Sequence, residues 1–107
     1  MPEVHKEFEI ALAGDGDILR IVFTRDGQWV QRFVVQYESD IDGEEHPVVR
    51  YDTAHGFAHR DILDWERKAI HWDRMGHVDY NLALTEAIDD LMTNWTRYRS
   101  DFLRRRP

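Results

Sequence analysis

Apolar and polar residues alternate along the first two-thirds of the chain and then recur every three or four positions, so the pattern predicts strands first and a helix last. Residues 8–12 (Phe-Glu-Ile-Ala-Leu) meet the turn-forming run Gly14-Asp15-Gly16-Asp17. The branched residues of 18–24 predict a second strand, closed by Asp26-Gly27, a dipeptide that tolerates positive φ and marks a hairpin. Residues 29–38 predict a third strand, with Trp29, Phe33, Val35 and Tyr37 on one face and Val30 and Val34 on the other. Apolar groups on both faces imply a central strand covered from both sides.

An acidic turn follows, with Glu38, Asp40, Asp42, Glu44 and Glu45 around Gly43. It lacks the length and the terminal bidentate glutamate of a calcium-binding loop, so it predicts a solvated hairpin turn. A fourth strand starts at Pro47, a position where proline is tolerated, and runs through Val48 and Val49 into the stretch 50–61. A return strand over 57–63 ends at the polar turn Asp64-Trp65-Glu66-Arg67. Residues 68–73 predict a sixth short strand, with Ile70 and Trp72 on one face and His71 on the other.

After Gly76 the period changes. Leu84, Ile88, Leu91, Trp95, Tyr98 and Phe102 form one stripe of an amphipathic helix. Asp79 is its predicted N-cap, and the helix runs to about Leu103, roughly 35 Å at about 1.5 Å per residue. The fold class is therefore α+β, one domain over residues 1–107: an antiparallel β-meander of five or six strands with a long C-terminal amphipathic helix across one face. One helix covers one face only. Either the sheet curls on itself, or a second copy covers the other face, and a homodimer is the expectation.

Composition narrows the setting. Cysteine is absent, which removes disulfides and thiolate metal sites. No apolar run is long enough for a membrane span, and the polar N-terminus does not read as a secretory signal, so a cytoplasmic protein without membrane contact is expected. The net charge of −7, from 21 acidic and 14 basic residues, argues against general duplex DNA binding. Arg97, Arg99, Arg104, Arg105 and Arg106 crowd the C-terminal end. Cations at a helix C-terminus are favoured by its dipole, which explains them without a phosphate-binding patch.

The densest chemistry lies in Arg50-Tyr51-Asp52-Thr53-Ala54-His55-Gly56-Phe57-Ala58-His59-Arg60-Asp61. With the reversal at 54–57, antiparallel pairing sets Asp52 against His59, Tyr51 against Arg60 and Arg50 against Asp61. Arg50–Asp61 and Asp52–His59 then stack as two opposite-charge pairs on one face, and Arg60 can stack on the Tyr51 ring on the other. Asp52 can hold the His59 imidazole in one tautomer, and His55 at the tip is free to move a proton.

Three functions fit these residues. The first is a protein-interaction module, self-associating or antitoxin-like, that presents the 50–61 hairpin to a basic protein partner. The second is a metal-independent phosphodiesterase or ribonuclease acting on single-stranded RNA. There His55 and His59 serve as acid and base, Asp52 orients His59, Arg50 or Arg60 stabilises the phosphorane with Asp61 paired beside them, and Tyr51 positions the substrate. The third is a metal site of His55, His59 and Asp52, with His71 or His77 added; nitrogen and oxygen donors suit zinc, nickel or iron. No cofactor-binding motif is present, and the first two readings need neither metal nor cofactor.

Phe33-Val34-Val35-Gln36-Tyr37, the run from Pro47 to Gly56, His59-Arg60-Asp61, and the helix residues 83–90 with Asn94-Trp95 and Tyr98-Arg99 resemble a family of small uncharacterised prokaryotic proteins. The resemblance covers about residues 33–103, and its motif is Arg-Tyr-Asp-Thr-Ala-His-Gly-x-x-His-Arg-Asp. It implies no activity. Where it implies a Pro-Asp-Gly type turn after His59-Arg60-Asp61, this chain has Asp64-Trp65-Glu66-Arg67.

Overall fold

The structure is a computed structural model and describes residues 2–76 and 79–107. Six strands, β1 (Val4–Ala11), β2 (Asp17–Asp26), β3 (Trp29–Ile41), β4 (Glu44–Asp52), β5 (His59–Leu63) and β6 (Ala69–Arg74), precede one helix, α1 (Tyr80–Arg104). The strands form one open antiparallel sheet in sequence order, the expected α+β meander. The turns follow local chemistry. Asp42 and Gly43 both take positive φ (56° and 84°), and the Gly43 N–H donates to Asp40 Oδ1 at 3.0 Å, a tight link that leaves Asp40, Asp42, Glu44 and Glu45 exposed, whereas Glu38, expected in the same solvated turn, lies within β3 and is buried. At the turn between β5 and β6, Asp64 Oδ1 accepts from the Glu66 and Lys68 N–H groups, and Arg67 takes φ 65° where a glycine is usual. Asp64 thereby supplies locally what the turn implied by the resemblance would have supplied.

Three register shifts shape the sheet. In the first, Arg32 pairs with Thr24 and Val30 with Arg25, so Gln31 is left over. An extra residue reverses the in–out alternation beyond it. Trp29, expected on the same face as Phe33, is therefore 56% exposed, while Val30 packs against the core. Trp29 thus gives no sign of a sheet curled over it.

One face of the sheet carries Leu19, Ile21, Phe33, Val35, Tyr37, Val49 and Tyr51, all buried beneath α1. The helix contributes Ala83, Ala87, Leu91, Tyr98 and Phe102, with Leu84, Ile88 and Trp95 partly buried at the flanks. Ala83 and Ala87 are fully buried, so small side chains rather than large ones mark the line of closest approach. The Asp79 cap is as expected, its Oδ1 accepting the Asn81 N–H at 2.8 Å. At the other end the Trp65 indole stacks on Phe102 (centroids 4.4 Å apart, 14° between planes) and donates to the Phe102 carbonyl at 2.9 Å.

The opposite face holds a polar ladder through its middle. Arg50 Nε donates to Gln36 Oε1 (2.8 Å), Gln36 Nε2 to Glu38 Oε2 (2.6 Å), and Arg20 clamps the Glu38 carboxylate with two hydrogen bonds. Burial raises the Glu38 pKa, but hydrogen bonds from Arg20 and Gln36 outweigh it and hold the carboxyl below its usual range. These strands satisfy their uncovered side with hydrogen bonds rather than apolar cover. Among the described residues no helix is long and apolar enough to cross a membrane.

Candidate functional site

Strands β4 and β5 pair as the residue pattern requires: Arg50 with Asp61, Tyr51 with Arg60, Asp52 with His59. Pairing stops there, and residues 53–58 form a loop fastened at several points. The Gly56 N–H donates to the Thr53 carbonyl (3.1 Å) with Gly56 at φ 84°, and Thr53 Oγ1 accepts the Phe33 N–H (3.1 Å). Asp52 Oδ1 accepts the Ala54 N–H (3.1 Å), and the Met75 N–H donates to the Ala58 carbonyl (2.9 Å). These bonds hold the backbone around His59 in place on the face away from α1.

His59 is buried, and its Nε2 lies 3.1 Å from Asp52 Oδ1 and 3.5 Å from Asp61 Oδ2. The side chains of His59, Asp52 and Asp61 are only 4%, 11% and 17% exposed, so water does little to screen the carboxylates from one another. One donor atom from each residue lies within 4.8 Å of the other two. The second ring nitrogen sets the chemistry: His59 Nδ1 is 3.3 Å from the Phe57 carbonyl oxygen. A carbonyl only accepts, so Nδ1 carries a proton and Nε2 is turned towards two acids. A histidine that ligates a metal through one nitrogen commonly donates its other N–H to a carbonyl, which fixes the tautomer and the ring orientation.

A wall of rings stands beside this cluster. The His55 and Phe57 rings lie 5.3 and 5.6 Å from that of His59, and Trp72 meets it edge-on at 6.4 Å. With Asp61 and Ala69 they enclose a cavity of about 470 Å³, open to solvent. The Arg74 guanidinium covers the Phe57 ring at 4.5 Å.

The seven residues singled out from the sequence separate into groups. Asp52, His59 and Asp61 converge, and His55 stands beside them. Arg50 shares their face but turns to Gln36, and no ion pair joins it to Asp61. Tyr51 and Arg60 point to the helix side. Tyr51 donates to Asp90 Oδ2 at 2.7 Å; Arg60 donates to the Tyr98 hydroxyl at 2.8 Å, pairs with Asp73 at 3.0 Å, and lies over the ring of Tyr98 rather than of Tyr51. Burial and the bond to Asp90 push the Tyr51 phenol well above its ordinary pKa, so it acts as a fixed donor. His71 is exposed with Nε2 3.9 Å from Asp73, away from the cluster, and His77 lies outside the described residues.

Asp61, expected opposite Arg50 as its ion-pair partner, faces His59 instead. The signal was present: residues two apart on a strand share a face. Trp72 reaches the cavity because β6 pairs it with Asp61.

The chain belongs to the family described as Domain of unknown function (DUF7718), which matches residues 1–107. Neither the curated proteins nor the solved structures contain a match to it.

Proposed function

We propose that this member of a family without an assigned activity is a divalent-metal-binding domain whose centre is Asp52, His59 and Asp61. The observation that carries the reading is the convergence of three donor atoms within 4.8 Å, on side chains largely withdrawn from water. Two carboxylates sharing one imidazole leave net negative charge in a poorly solvated place, and a dication removes it. A donor set of two oxygens and one nitrogen suits manganese, iron(II) or zinc better than a soft ion. Three protein donors leave coordination positions for water or a ligand oxygen, facing the cavity walled by His55, Phe57 and Trp72. Tyr51 and Arg60 lie beneath the helix, and Arg50, though on the face of the cluster, is bound to Gln36, which weakens the ribonuclease reading by engaging its substrate-positioning and phosphorane-stabilising groups elsewhere.

The test is elemental analysis of protein purified without a histidine tag, followed by thermal melts with manganese, iron(II) or zinc and with chelator. Stoichiometric metal, or a melting temperature raised by one of these ions in wild type and not in His59→Gln, supports the centre. Protein that carries no metal and melts identically with every ion and with chelator refutes it.

A second reading, association with another copy or a partner protein through the free edge of the sheet, draws on β6, since both strands of the 50–61 hairpin are paired on either side. All six of its residues are exposed, including Ile70 (50%) and Trp72 (59%), and an uncovered edge strand is a template for pairing. Light scattering decides it: a dimer that Trp72→Glu converts to monomer supports association, and a monomer at every accessible concentration rules out the homodimer.

A further inference from the structure

The cavity of about 470 Å³ beside the proposed metal centre is wide enough for an organic molecule, and two residues of the centre, His59 and Asp61, line it. Its other large side chains are rings with polar groups to spare. Trp72 is the largest apolar side chain of β6 and is mostly exposed, and a bulky indole left uncovered beside a cavity is a mark of a binding surface. Among the described residues its N–H makes no hydrogen bond, and neither ring nitrogen of the exposed His55 has a hydrogen bond or an ion pair. Phe57 is half-buried, and the Arg74 guanidinium that covers its ring likewise has no ion pair among the described residues.

We infer that this cavity binds an aromatic carboxylate, whose oxygen takes an open position on the metal while its planar ring lies against Trp72 and Phe57. The inference rests on the metal centre and names the class of molecule that completes it. A bound dication cancels the charges of Asp52 and Asp61, and the unpaired Arg74 then leaves the surroundings net positive, which favours an anion over a neutral molecule. Without the ion the same two carboxylates repel an anion, so binding is conditional on metal. The ring of Trp72 is centred 6.4 Å from that of His59, a gap that one small ring bearing a carboxylate bridges. Rings pair edge-on or offset through their charge distribution, which a saturated hydrocarbon lacks, so the walls select an aromatic ligand over its saturated counterpart. His55, on the same wall, has a ring nitrogen to spare for the carboxylate oxygen that the metal leaves.

The experiment is calorimetric titration of the full chain, first with manganese, iron(II) or zinc and then, on the loaded protein, with three probes. These are 2-naphthoate, its saturated counterpart decahydro-2-naphthoate, and the uncharged 2-naphthamide. 2-Naphthoate should bind about threefold or more tighter than the saturated acid and about tenfold or more tighter than the amide. Chelator should weaken its binding by about tenfold or more. Trp72→Leu, at an exposed position, should remove the preference for the aromatic acid and change metal affinity by less than about twofold. Metal uptake without 2-naphthoate binding, equal affinity for the saturated acid, or an unchanged preference in Trp72→Leu overturns the inference and leaves the metal centre standing. A chain that takes up none of the three ions overturns both. A metal-loaded dimer that excludes every probe marks the cavity as an interface between copies, which also overturns the inference.

Discussion

Asp61→Asn separates a metal centre from a buried ion pair, because the two predict different dependence on metal. With His59 protonated on both nitrogens, its 3.5 Å contact to Asp61 is worth about 5 kcal/mol of gross attraction at an effective dielectric constant of about 20. Repulsion from Asp52, whose donor oxygen is within 4.8 Å of that of Asp61, offsets at least about 3.5 kcal/mol of it. The remainder is about 1 kcal/mol before desolvation, and burying the Asp61 charge reduces it further. In chelator, Asp61→Asn should therefore cost no more than about 1 kcal/mol. With a dication bound the sign of the local field reverses, and losing one carboxylate donor removes a strong attraction. At a metal concentration of about a hundred times the wild-type Kd, the wild type gains about 2.7 kcal/mol, and a variant binding about a hundredfold more weakly gains about 0.4. Urea denaturation of both proteins, in chelator and in metal, yields the four free energies. Equal gains in metal, or a loss above about 3 kcal/mol in chelator, would refute the reasoning and identify a structural ion pair.

Other outcomes follow from the helix side of the sheet. Tyr98→Phe removes a 2.6 Å hydrogen bond to Asp90 and the 2.8 Å acceptor of Arg60, and should cost about 2 kcal/mol in chemical denaturation; a loss below about 0.5 would show the network to be slack. Burial raises the Asp90 pKa, but hydrogen bonds from Tyr98, Tyr51 and Asn94 and the charge of Arg60 outweigh it, so the folded value is depressed. Its stabilising contribution is present above the ordinary carboxylate range and is lost as pH falls through the folded value. Asp90→Asn should therefore flatten stability against pH on the acid side, and an unchanged acid limb would contradict the assignment. Gly14→Ala places a Cβ against Asp17 Oδ2 and 2.7 Å from the Trp95 ring, while Asp17 is pinned by the Tyr37 and Ser39 hydroxyls. A cost of about 1–3 kcal/mol is expected, and an unaltered melting temperature would show that the loop yields freely.

Much of this architecture was legible because one-dimensional patterns carry it. Alternation and turn residues located the strands, and the Arg50–Asp61, Tyr51–Arg60 and Asp52–His59 register followed from the reversal at 54–57, with the charge pattern in agreement. What pairing could not supply was the identity of whatever lies above each face. Tyr51 and Arg60 were correctly placed opposite each other, yet Asp90, Tyr98 and Asp73 hold them, and those contacts depend on where α1 and β6 settle. Arg50 was drawn to Gln36 on the neighbouring strand rather than to Asp61, a choice between adjacent polar groups that composition does not rank. Trp29 was misplaced because a single extra residue, Gln31, leaves no sequence mark. The helix stripe was read through its large residues, whereas Ala83 and Ala87 form the seam, since hydropathy undervalues residues that act by being small.

The order of the elements has a consequence for how the chain comes off the ribosome. Every strand pairs with its predecessor or successor, so the sheet can zip together step by step as it emerges, with short loops to close. Its greasy side, however, stays bare until α1 follows, because among the described residues no earlier helix lies over Leu19, Ile21, Val35 and Tyr37. The nascent sheet is thus most adhesive in the interval before residues 80–104 are translated, and that interval is where a chaperone would be needed.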